Sequence, residues 1–354
     1  MANRITGSTD VTGAISVKSK SAKSLLLVCK STSTDDGAAT PNVIYTVTGT
    51  ADANTKFGET VSKLVKILIN NVVDNIKCIA VNTTWNAEAY ESALDASFGD
   101  DTIRTIILDT TTSEIVATLK THLNKAEGED MFRYGVIGLT ATTTEAAVTE
   151  VGVINEKRMF APFPHFVDLE NNQLTGIYGA AGLAAVIMTE TSDPAMPVNG
   201  VEFTGFGGTS MSLLKADKNS LEQGGITAIV GGHRTPNIWR LVTTYTKDGN
   251  GKSDPIWHEG TTLFIADDVL ETIINTLQLT YRRTKNTSRI LDAIRTTVIS
   301  VLEDKERLEI IENFDKNTVS VIQDPNDIHG ALVDYEFNVV TPLYTITITQ
   351  HMKL

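Results

Sequence analysis

Between residues 24 and 163, short apolar runs alternate with longer amphipathic stretches, and nothing else in the chain constrains the fold as strongly. The apolar runs are "SLLLVCK", "NVIYTVTGT", "NIKCIAV", "TIRTIILD", "RYGVIGLT" and "RMFAPFP". Each has the length and β-branched content of a strand. The intervening stretches read as helices. In "KFGETVSKLVKILINNV" the residues Phe57, Val61, Leu64, Val65 and Leu68 recur at helical spacing, and "NAEAYESALDASFG", "TSEIVATLKTHLNKAEG" and "TTEAAVTEVGVIN" continue the series. Thr112 or Ser113, and Thr143 or Thr144, stand where helix N-caps are expected. Strands alternating with helices require crossover connections, so the pattern predicts a largely parallel sheet covered by helices, from about Ser24 to Thr191. The apolar stretch "GIYGAAGLAAVIM" is too short to span a bilayer and predicts a buried helix within this part.

The pattern changes after "TSDPAMPVNG", where two prolines and a glycine mark a boundary. Short strands ("ITAIVGG", "IWRLVTTYT") follow a short helix, "LLKADKNSLEQGG". Two long helices come next, "FIADDVLETIINTLQLTYRR" and "SRILDAIRTTVISVLEDKERLEIIENF". The first places Val269, Ile273, Leu277 and Tyr281 on one face, and Asp267 and Asp268 are expected near its exposed start. The strands "TVSVIQD", "IHGALVDYEFNVVTP" and "LYTITITQ" close the chain. The last alternates strictly: Tyr344, Ile346 and Ile348 face one way and Leu343, Thr345, Thr347 and Thr349 the other. Pro342 has no N–H to give a ladder, so it marks a bend and leaves this strand free to depart from the domain. At the other terminus, residues 1 to about 22 are rich in Ser, Thr, Lys and Gly, with one short alternation that includes Ile15 and Val17. They predict an extended arm.

The chemistry-bearing residues form no recognisable constellation. The six histidines are scattered, and no spacing supports a zinc site. "TKDGNGKSD" fails the phosphate-loop pattern because Thr246 stands where the first glycine is needed. It fails the calcium-loop pattern at Lys252 and Ser253, and reads as a hairpin turn. "GFGGTSMS" lacks dinucleotide-site spacing and reads as a flexible surface loop, and "GGHRTP" as another loop. No Gly-x-Ser-x-Gly elbow occurs. Cys29 and Cys78 lie inside apolar runs and read as reduced, buried thiols. A net charge of −13 argues against a general nucleic-acid binder. Against that acidic total, Arg282, Arg283, Lys285, Arg289 and Arg295 gather at the junction of the two long helices. Basic residues there suit a helix C-terminus, and they equally suit a patch for an acidic partner. The N-terminus has no apolar core after its charges, so no secretory signal is expected.

From "RMFAPFP" onward the chain resembles the tail sheath proteins of contractile phage tails and of related contractile particles such as R-type bacteriocins. The similarity runs in order through "GIYGAAGLAAVIM", "DPAMPVNGVEFTGFGG" and "NSLEQGGITAIVGGHRTPNIWRLVTTYT" to the two helices and the terminal strands. The resemblance implies an α/β fold in which a mixed-sheet α/β domain (residues 23–191) is followed by an α+β sheath-core domain (192–340). Strand arms at 1–22 and 341–354 would flank them. It implies a structural, non-enzymatic subunit with no cofactor and no metal. Six copies would form a ring, rings would stack around an inner tube, and contraction would drive the tube through a cell envelope. The implied partners are further copies of the chain, the tube protein, and baseplate and tail-terminator proteins, with no direct contact to nucleic acid or membrane. The implied setting is a cytoplasmically made component of a particle released by lysis. On this resemblance Ile15, Val17, Tyr344, Ile346 and Ile348 would lie in strands exchanged between subunits. Thr341–Pro342 and "KSKSAKS" would be hinges, and the Arg282–Arg295 cluster would face the tube. An α/β ligand-binding protein or enzyme, with its site at strand ends and no readable motif, is the alternative.

Overall fold

A computed structural model describes residues 23–231, 234–327, 329–344, 349–350 and 352. The described residues form two compact units: 23–263 with the residues from Pro342 on, and 264–341.

The first unit is built on β1 (Ser24–Lys30), β2 (Ile44–Val47), β3 (Ile76–Val81), β4 (Ile103–Leu108), β5 (Tyr134–Val136) and β6 (Met159–Phe160). Their order is β2-β3-β1-β4-β5-β6, parallel throughout except for β2. The expected largely parallel sheet is therefore present. Its central strand explains the unbroken apolar run: Leu25 through Cys29 are all 0% exposed. A strand covered on both faces does not alternate.

The helices of this part are α1 (Thr50–Phe57), α2 (Glu59–Asn70), α3 (Ala87–Ala96), α4 (Ser113–Gly128) and α5 (Thr144–Gly152). The sequence suggests one helix through Lys56–Val72, but the structure breaks it at Gly58, whose φ of +97° suits glycine and ends the helical run. Leu26, Val28, Ile106 and Leu108 share a core with residues of α3 and α4. Thr143 caps α5 through its hydroxyl, which accepts from the Ala146 N–H. Thr112 precedes α4 without such a bond.

The chain continues through β7 (Pro162–Phe163), β8 (Phe166–Val167), α6 (Gly176–Glu190), β9 (Gly208–Thr209), α7 (Lys215–Gln223), β10 (Thr227–Val230) and β11 (Asn237–Arg240). Helix α6 is the expected buried small-residue helix, packed on α2 and on β1, β4 and β5. A Cβ on Gly138 would lie 2.5 Å from the Gly176 backbone, so only glycine lets the helix start so near the end of β5. Strand β10 pairs parallel with β7 and antiparallel with β11. That pairing joins residues 192–263 to the α/β unit, and the compact division falls after Leu263 rather than after Thr191. "GFGGTSMS" is also less loose than its glycines suggest. Phe206 stacks on Phe166 with centroids 4.3 Å apart, and buried β9 pairs with β8.

The second unit holds most of α8 (Gly260–Thr280), then α9 (Ser288–Arg307), β12 (Ile311–Glu312), β13 (Ser320–Gln323), β14 (Ala331–Asp334) and β15 (Asn338–Val339). Lys305 pairs with Asp268, and Tyr281 and Thr297 share a 2.7 Å hydroxyl hydrogen bond. The two helices therefore run antiparallel. Asp267 and Asp268 are not at an exposed helix start, because α8 begins at Gly260, Asp267 is buried, and Asp268 is ion-paired. Helix α9 is shorter than its sequence pattern. Glu309 and Asn313 adopt φ of +58° and +52°, and Ile311–Glu312 between them form β12. The strand expected in "IHGALVDYEFNVVTP" is likewise divided into β14 and β15, which join different two-stranded sheets. β12 pairs with β15, and β13 with β14.

Candidate assembly interfaces

The β13–β14 hairpin sets Val321 opposite Val333 on one face and Ile322 opposite Leu332 on the other. Residues directly opposite across two strands form the unit of sheet packing. Here one such pair is uncovered: Ile322 is 53% exposed and Leu332 44%. Among the described residues β13 and β14 ladder only with each other. An open cleft of about 460 Å³ lies in the same unit, lined in part by Tyr335 and Phe337, whose rings stack with centroids 6.2 Å apart. Burial raises the Tyr335 phenol above its ordinary pKa.

The predicted basic cluster is partly dispersed. Arg283, Lys285 and Arg289 are exposed, the first two in the α8–α9 connection and the third on the first turn of α9. Arg282 is half-buried, and its Nε is buried without a hydrogen-bond partner. Arg295 has a different task. Its Nε donates to the Val319 carbonyl at 2.7 Å and its Nη2 to the Lys316 carbonyl at 2.9 Å, which ties α9 to the segment leading into β13. The uncommitted charge is thus narrower than the five-residue cluster in the sequence.

Of the five predicted strand-exchange residues, Ile15, Val17, Ile346 and Ile348 lie outside the described residues. Tyr344 is described, and it meets its own chain. Its hydroxyl donates to Glu259 Oε1 at 2.6 Å, and the Arg240 guanidinium lies 4.5 Å from its ring centroid. Arg240 donates through Nε and Nη2 to Glu259 Oε2 at 3.0 and 2.7 Å, and it also pairs with Glu222. Burial, and then the Glu259 charge, push the Tyr344 phenol above its ordinary pKa. Burial opposes the charge on Arg240, but the hydrogen bonds and charge of Glu259 outweigh it and raise that pKa. No sequence spacing marks this cluster.

At the carboxyl ends of β1 and β4, where an open α/β sheet would hold a ligand, Asp109 is already occupied. It accepts from the Tyr90 hydroxyl at 2.5 Å and from the Lys30 N–H at 2.8 Å. Burial raises its carboxyl pKa. Cys29 and Cys78 are free and buried, and burial pushes both thiols up. "KDGNGKSD" is a turn as expected: Asp248 Oδ1 accepts from the Asn250 and Lys252 N–H groups, and Lys247 bridges to Ser253. No group of three or more acidic, His or Cys side chains suited to a metal occurs among the described residues. No helix among them is long and apolar enough to cross a membrane.

The phage tail sheath protein central domain matches residues 83–244, and the phage tail sheath C-terminal domain matches residues 252–353. The chain belongs to the phage tail sheath family. No curated relative matches it by sequence. Among solved structures, the helical sheath of the anti-feeding prophage in its contracted state is 13% identical, with a TM-score of 0.72 and 99% of each chain covered. The sheath complex of the extracellular contractile injection system PVC, also contracted, is 11% identical at a TM-score of 0.71, covering 100% of this chain and 98% of that one. The sheath tail protein of Desulfitobacterium hafniense is 10% identical at 0.68, with 96% and 100% covered. Identities this low establish the shared fold. This sheath chain is thus a mixed α/β protein of a structural family whose members build contractile tails. The resemblance drawn from the second half of the sequence is met over nearly the whole chain.

Proposed function

We propose that this chain polymerises as stacked six-membered rings around an inner tube and contracts to drive that tube through a target envelope. Its links between subunits would be strands exchanged at the two termini. One observation supports the exchange: a two-stranded ribbon, β13–β14, which among the described residues ladders only with itself and carries an uncovered Ile322/Leu332 pair. An added strand supplies main-chain hydrogen bonds for affinity and alternate side chains for register. The alternation of Ile346 and Ile348 with threonines suits such a strand, because one face is apolar and the other tolerates water. Ile15 and Val17 suit the same role at the other terminus. Arg283, Lys285 and Arg289, with Arg282 behind them, are proposed to face an acidic surface of the tube, where complementary charge sets register and association rate. Arg295 is omitted from that surface because its guanidinium holds backbone carbonyls. Rigid units joined by retained strand links would let subunits rotate during contraction without separating.

Removing residues 345–354 tests the exchange. The truncated protein is expected to fold with unchanged circular dichroism and to remain unassembled under conditions where the full chain polymerises. Normal polymerisation of the truncated protein would refute strand donation by the C-terminal arm.

A further inference from the structure

We propose that Arg240, Glu222 and Glu259 form a socket that retains Tyr344 on its own chain, so that the travelling part of the C-terminal arm begins at Thr345. This inference rests on the strand-donation reading and revises where its hinge lies. The sequence suggests a hinge at Thr341–Pro342 and a donated face that includes Tyr344. The contacts of Tyr344 indicate otherwise.

The socket is specific for a phenol. Glu259 is only 8% exposed, and its two carboxylate oxygens are divided between two partners. Oε2 takes the Arg240 fork and Oε1 takes the Tyr344 hydroxyl. A carboxylate oxygen that is nearly buried needs a donor, and leaving it without one costs more than the bond itself returns. The same guanidinium that holds Glu259 covers the aromatic ring, a cation–π contact on a charge already fixed by two acids. One Arg against two Glu leaves the cluster one negative charge in excess. A neutral O–H donor completes it, whereas an acidic side chain would be repelled. Phenylalanine would fill the ring space and leave Oε1 unpaired.

The surroundings of the socket are fixed. Arg240 ends β11, which is laddered to β10, Glu222 lies in α7, and Glu259 immediately precedes α8. Tyr344 belongs to the compact unit that holds all three, although the strands just before it, β12–β15, belong to the other. Adjacent Leu343 is 72% exposed, so the anchor at this point is one side chain rather than a packed segment. A single-residue anchor followed by a donated strand fixes the origin of the arm while leaving the strand free to pair elsewhere. In the alternating series Tyr344, Ile346, Ile348, the first residue would stay and the other two would go.

The test uses the soluble full-length chain with a nitroxide at Leu343→Cys, the two native cysteines being buried. Y344F, Y344A and E259Q are each compared with the parent. The parent is expected to give a motionally restricted spectrum. Y344F removes only the O–H and is expected to enlarge the mobile fraction relative to the restricted one by about tenfold, the loss expected for one hydrogen bond to a charged group. Y344A is expected to release the label fully, and E259Q to release it in part, because it weakens the acceptor for the phenol and the Arg240 clamp together. A mobile label in the parent, or identical spectra in parent and Y344A, would overturn the socket. The result is independent of polymerisation, which reads the strand-donation reading separately through removal of residues 345–354.

Discussion

The central strand β1 of one compact unit and the β13–β14 ribbon of the other treat apolar side chains in opposite ways. In the α/β unit, β1 hides Leu25 through Cys29 completely, and its neighbours β3 and β4 are nearly as dry. In the 264–341 unit, no residue of β13 or β14 is fully buried, and the apolar pair Ile322/Leu332 stands about half exposed. The central strands of the first unit are covered on both faces, whereas the β13–β14 ribbon of the second leaves the Ile322/Leu332 pair uncovered.

That contrast predicts different costs for the same kind of mutation. The largest effect should follow Leu27→Ala in β1. Truncating a fully buried leucine typically costs about 2–5 kcal/mol, measurable by denaturant unfolding. Ile322→Ser with Leu332→Ser should cost less than ~1 kcal/mol in the isolated chain, because surface changes away from special features are mild. The same pair should nonetheless abolish or severely slow polymerisation, as followed by light scattering. If the double variant unfolds the soluble protein instead, the ribbon is part of a core and the contrast fails.

The α/β unit also carries a buried charge cluster with a pH signature. Arg133 is fully buried, donates to the Ser97 and Asp100 carbonyls, and lies 2.9 Å from His122 Nε2. Burial, and then the nearby Arg133 charge, lower the His122 pKa from 6.5 to about 3. The unfolded chain therefore takes up the proton first. The contribution of His122 to stability is present above pH 6.5 and is lost progressively as pH falls from 6.5 toward 3. His122→Gln should flatten that part of the stability profile, as read from urea midpoints at successive pH values. An unchanged slope between pH 6.5 and 4 would contradict the assignment.

A smaller effect is expected from Arg283→Glu with Arg289→Glu. Both side chains are exposed, so folding stability should shift by no more than about 0.5 kcal/mol. Binding to an acidic tube surface should weaken at low salt and the difference should shrink at high salt, where the Debye length is short. Equal tube co-assembly at low salt would remove these residues from the interface.

What the sequence disclosed follows the same division. The alternation of strands and helices, the parallel sheet and the buried α6 were legible because burial imposes a pattern on every residue of a covered element. The joints were harder. The end of α9 depends on left-handed backbone at Glu309 and Asn313, which the helical periodicity of "LEIIENF" does not register. The sequence shows five basic residues at the α8–α9 junction but cannot show that Arg295 is engaged with carbonyls near β13. The Tyr344 socket was invisible because Tyr344 and Glu259 are 85 positions apart and none of its four residues has a motif-like neighbour. The strict alternation of "LYTITITQ" predicts a strand whose central residues, 345–348, lie outside the described residues.

The most direct test is hydrogen exchange of the β13 and β14 amides, compared between the unassembled chain and its polymer. The account predicts that these amides gain strong protection on assembly while those of β1, β3 and β4 stay equally protected in both states. Equal exchange of β13 and β14 in both states would contradict completion of the ribbon by a neighbour.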